Sequence, residues 1–89
     1  MIYLITYDLH KPGKDYTSLH NTIKTASTWW HYIESTWIIK TDLSVNEWSN
    51  RIRSVTDSND NFLIVDISKQ NRQGWLPKKA WDWIRENET

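Results

Sequence analysis

The first eight residues, Met1-Ile2-Tyr3-Leu4-Ile5-Thr6-Tyr7-Asp8, form an apolar run that ends on a carboxylate. Aliphatic and aromatic residues without polar alternation suit a strand covered on both faces, in the middle of a sheet. A second run of this kind, Phe62-Leu63-Ile64-Val65-Asp66-Ile67, lies far along the chain. Two distant strands of one type must therefore meet in one sheet, with the residues between them covering or extending it.

Those intervening residues read as a repeated strand-helix-strand unit. Asp15 is a candidate N-cap, and Tyr16, Leu19, Ile23 and Ala26 recur on one helical face. Thr28 to Ile33 and Thr36 to Thr41 are β-prone runs separated by Glu34-Ser35, which predicts a hairpin. Ser44-Val45-Asn46-Glu47 has the pattern of a capping box, and Val45, Trp48, Ile52 and Val55 repeat the spacing of the first helix. Asp57-Ser58-Asn59-Asp60-Asn61 is a turn-forming break. Gly74-Trp75-Leu76-Pro77 opens a last helix whose apolar positions are Leu76, Ala80, Trp81 and Ile84. The string predicts an α+β fold, a ferredoxin-like βαββαβ sandwich with an extra C-terminal helix. In it the first and last strands pair at the centre, and the hairpin strands lie toward the edges.

Size and charge narrow the function. A chain of 89 residues is expected to form one domain over 1–89, burying only about 60–65% of its unfolded surface, so a homodimer is expected. Eleven basic and eleven acidic residues cancel, so no global field steers the chain toward nucleic acid or an anionic membrane. The absence of cysteine suits a reducing cytoplasm. The apolar opening is too short for a membrane span and has no basic leader, so no membrane partner is expected. Seven tryptophans and four tyrosines can supply core volume or remain exposed as stacking surfaces.

Several residues carry candidate chemistry. Asp8 ends the first strand; paired across a dimer axis, two copies could hold Mg or Mn and activate a water for phosphodiester attack. One carboxylate per chain is a sparse ligand set, and Asp8 could equally bond amides of the loop over 9–13. His10, beside it, is a candidate general acid or base, or a solvated loop residue. His20 falls on the polar side of the first helix and His31 among strand aromatics, with no zinc-type spacing. Lys11 and Lys14 flank Pro12-Gly13 before a helix, where free amides and two ammonium groups could hold an anion; a simple turn explains the same residues. Lys69, Arg72, Lys78 and Lys79 surround Trp75 without an intervening acid, a combination that can hold phosphate while an indole stacks a base. The rival reading packs Trp75 beneath the last helix, and is slightly favoured. Trp29, Trp30 and Trp37 could form a platform on an exposed sheet face, unless alternation sends one of Trp29 and Trp30 inward.

The opening Met1 to Leu9 resembles that of the small CRISPR-adaptation protein Cas two and its SinR-like and VapD-like relatives, as does the hairpin Tyr32-Ile33-Glu34-Ser35-Thr36-Trp37. The SinR-like branch is the closer resemblance, through Asp8 to Tyr16, Trp29-Trp30, Ser35-Thr36-Trp37 and Gly74-Trp75-Leu76-Pro77. The resemblance implies a ferredoxin-like fold, a homodimer and an aspartate ending the first strand, in a family that includes members without nuclease activity. Three function classes follow. The favoured one is a noncatalytic dimeric binding or scaffolding module for nucleic acid or a nucleotide. The others are a metal-dependent endoribonuclease or deoxyribonuclease using paired Asp8, and a protein-interaction subunit of a defence or counter-defence system.

Overall fold

The computed structural model describes residues 1–9 and 16–88. In chain order the elements are β1 (Ile2–Asp8), α1 (Thr17–Ile23), β2 (Thr28–Ile33), β3 (Thr36–Lys40), α2 (Val45–Arg53), β4 (Asn61–Asp66) and α3 (Lys78–Asn87). The fold is α+β: a four-stranded antiparallel sheet in the order β2-β3-β1-β4, with three helices. Among the described residues no helix is long and apolar enough to cross a membrane.

Each element follows from its local sequence. Ser44 caps α2 by accepting a hydrogen bond from the Glu47 amide at 3.1 Å, as the capping pattern predicts. Glu34-Ser35 forms the two-residue turn between β2 and β3, with Ser35 in the left-handed region at φ 61°. Helix α1 buries Leu19 and Ile23 as expected but stops at Ile23, and Ala26 packs on the core from beyond its end. Tyr16 stands at its N-cap, and the expected cap Asp15 lies outside the described residues. Pro77 precedes α3 rather than entering its first turn.

The sheet separates two cores. On one face Tyr3, Ile5, Tyr7, Trp37 and Ile39 pack against Leu19 and Ile23 of α1 and Trp48 and Ile52 of α2. On the other, Ile2, Trp30 and Ile38 meet Ala80 and Ile84 of α3. Three tryptophans fill these layers, and each buried indole N–H finds an acceptor. Trp30 donates to the Ala80 carbonyl at 3.1 Å, Trp37 to the Tyr7 hydroxyl at 3.0 Å, and Trp48 to Thr41 Oγ1 at 2.8 Å.

Strand placement corrects one expectation. β1 does pair with β4, but β4 is an edge strand and β3 shares the centre with β1. The second apolar run is thus not covered on both sides. Phe62 and Ile64 turn toward the core, whereas Leu63 and Val65 are 58% and 40% exposed. Hydrophobicity alone cannot distinguish a doubly covered strand from an edge strand whose outer face is also apolar.

Candidate functional site

Three places carry side chains capable of chemistry. The first is the end of β1. Asp8 is exposed there, opposite Asn61 of β4, beside a cleft lined by Thr6, Tyr7, Asn61, Phe62 and Leu63. Among the described residues no three histidine, aspartate or glutamate side chains converge to hold a metal ion. His10, Lys11 and Lys14 lie outside the described residues.

The second is the segment between β4 and α3. The packing expected for Trp75 is overturned, since its side chain is fully exposed. Its neighbour Leu76 packs on the core in its place. The basic residues around Trp75 divide into two groups. Arg72 is structural: it donates to the Ile67 carbonyl at 2.6 Å and pairs with Glu88 at 2.7 Å, tying this segment to the end of α3. Lys78 pairs with Asp82 at 2.8 Å on the open surface, where such a pair exchanges readily for another anion. Lys69 and Lys79 are exposed. The platform expected from three strand tryptophans is reduced to one, because Trp30 and Trp37 are buried and only Trp29 is open.

The third place is a cleft of about 230 Å³ lined by Tyr7, Leu9, Tyr16, His20, His31, Glu34 and Ser35. It lies between the N-terminal part of α1 and the turn of the β2–β3 hairpin. The His20 and His31 ring centroids are 6.4 Å apart, and His31 stacks on Trp37 at 3.8 Å and 15°. Indole has no acceptor, so the Tyr7 oxygen accepts from Trp37 and its own proton is free for His20 Nε2, 3.3 Å away. Burial raises the Tyr7 phenol above its ordinary value, and Glu34 adds to the rise against the lowering effect of the Trp37 hydrogen bond. His31 is held below the usual imidazole value, first by burial and then by the charges of His20 and Lys24. Tyr16 closes one wall by donating to Asp60 Oδ1 at 2.9 Å.

Sequence reasoning passed over this pair because neither histidine has a partner at a recognisable spacing. One signal was present: Trp29 and His31 are two apart in a strand, and both rings pack on Trp37. No protein-family model and no curated protein matches the chain.

Proposed function

We propose that the protein is a noncatalytic homodimeric binding module whose ligand is a nucleic acid or a nucleotide, with the ferredoxin-like arrangement its sequence suggests. Read from the β4 edge, the strand order β4-β1-β3-β2 places both strand-helix-strand halves in one sheet with β1 and β3 central, which supports that arrangement. The resemblance to the SinR-like and Cas-two-like proteins points the same way.

The observation that carries the ligand reading is Trp75. A fully exposed indole flanked by Lys69, Lys78 and Lys79 has an aromatic face available to a base and cations available to its phosphates. The dimer reading rests on the sheet face opposite α1 and α2. Helix α3 covers only part of it, at Ile2, Trp30 and Ile38. Beyond it Leu63 and Val65 of β4 remain exposed, and so does Ile33, which lies in a groove that Leu4, Leu76 and Trp81 help to line. A second copy applied by a twofold axis would bring the same strip against itself.

Oligonucleotides should therefore quench tryptophan fluorescence, with the effect weakening as salt is added. Sedimentation at micromolar concentration should give a dimer; a stable monomer would remove the twofold part of the reading. Asp8→Asn should leave binding and assembly unchanged, and magnesium or manganese should produce little or no cleavage of RNA or DNA. Robust turnover that disappears in Asp8→Asn would replace the binding module with a nuclease.

A further inference from the structure

We infer that the seam between α1 and β2 is a proton-linked phosphate site, in which His20, His31 and Lys24 hold a phosphate group of a nucleotide or a single strand of nucleic acid. This site is separate from the Trp75 surface and does not rest on it.

Three groups that can carry positive charge gather along this seam. His20 of α1 and Lys24 at its C-cap stand at i and i+4, and His31 approaches from β2. Among the described residues nothing hydrogen-bonds the His31 ring, which is held by its stack on Trp37, so both nitrogens are open to a ligand. The His20 imidazole is oriented by Tyr7, whose oxygen can accept from Nε2–H once that ring is protonated. Lys24 Nζ lies over the Trp29 ring, 5.1 Å from its centroid, a cation–π contact that anchors this charge on β2.

In the free protein these charges oppose one another. Burial, His20 and Lys24 all disfavour the imidazolium of His31. Among the described residues the groups that act on or line the cleft with His31 are His20 of α1, Lys24 at its C-cap, Tyr7 from β1 and Glu34 from the hairpin turn, with Asp60 behind Tyr16. Only Glu34, among the described residues, brings negative charge to the cleft lining, and it is exposed. A phosphate bound between the cations removes the like-charge opposition and favours protonated His31. By linkage, binding then takes up protons, and affinity rises as pH falls from about 8 to about 5.5.

The test is a proton NMR titration of the histidine rings at constant ionic strength, alone and with millimolar ligand. A short oligothymidylate serves as one probe, because phosphodiesters gain no proton in this range. 5′-Adenylate serves as the other, its monoester titrating near pH 6. Either ligand that binds should raise the His31 midpoint by about one unit, corresponding to about tenfold tighter binding to the protonated ring. A response to adenylate alone identifies a free nucleotide as the source, and a response to the oligonucleotide identifies a strand. Lys24→Gln, an exposed change that leaves the core intact, should remove most of the shift. His31→Gln should weaken binding about tenfold at about pH 5.5 and little at about pH 8. Glu34→Gln should strengthen binding. An unmoved midpoint overturns the proposal, as does a shift that equal chloride reproduces or that survives in Lys24→Gln. Loss of the shift in Trp75→Ala would place the phosphate on the other surface and also overturn it.

Discussion

Trp30→Ala is expected to cost about 3–5 kcal/mol of folding stability, the usual range for emptying a large aromatic from a packed core. For a domain of this size that lowers Tm by well over about 10 °C. Trp30 is fully buried on the face that α3 covers, among Ile2, Ile38, Ala80 and Ile84. Its indole also donates to the Ala80 carbonyl, so the change removes both the volume α3 rests on and one of its ties to β2. The other tie, from Trp83 to Thr28 Oγ1 at 3.1 Å, lies nearer the end of the helix. Thermal unfolding followed by circular dichroism measures the loss. A drop of a few degrees would mean that α3 contributes little to the fold.

If the chain pairs through the open sheet face as proposed, the double change Leu63→Asp and Val65→Asp should separate the copies without unfolding the chain. Both side chains are more than one-third exposed in a single protomer, so a carboxylate at either position stays hydrated when the copies part. In the proposed twofold interface each substitution appears twice, so four new carboxylates would be brought together. The dissociation constant should rise at least about 100-fold, which requires only about 2.7 kcal/mol from four buried charges. Sedimentation should show monomer at concentrations where the unaltered protein is dimeric, with far-UV dichroism unchanged. A dimer that survives the change would have its interface elsewhere.

The order of elements was legible because it rests on short-range chemistry. Ser44 with Glu47 marks the start of α2, Glu34-Ser35 marks the hairpin, and the alternation of Trp29 and Trp30 separates an open indole from a buried one. The position of β4 was not legible, because Leu63 and Val65 are apolar although they are exposed. Trp75 misled in the opposite sense: its place at the Gly74-Trp75-Leu76-Pro77 entry to the last helix suggested packing beneath that helix, yet Leu76 makes the core contact and Trp75 is exposed. The basic stretch around it looked uniform in sequence. Its division into a structural Arg72 and surface lysines depends on Glu88 and Asp82, which only the fold of α3 brings near. The His20 and His31 pair depends on α1 crossing β2, a tertiary event that no spacing records.

The most direct measurement is the affinity of a labelled single-stranded oligonucleotide for the unaltered protein and for Trp75→Ala, with the Tm of both. Because Trp75 is fully exposed, its removal should leave Tm nearly unchanged. Base–aromatic stacking is worth roughly 1–3 kcal/mol, so affinity should fall about five- to more than a hundredfold. Salt should weaken binding in both proteins. A binding module of the kind proposed requires that separation of affinity from stability. Equal affinity in the two proteins, or no binding by the unaltered one at low salt, would contradict it.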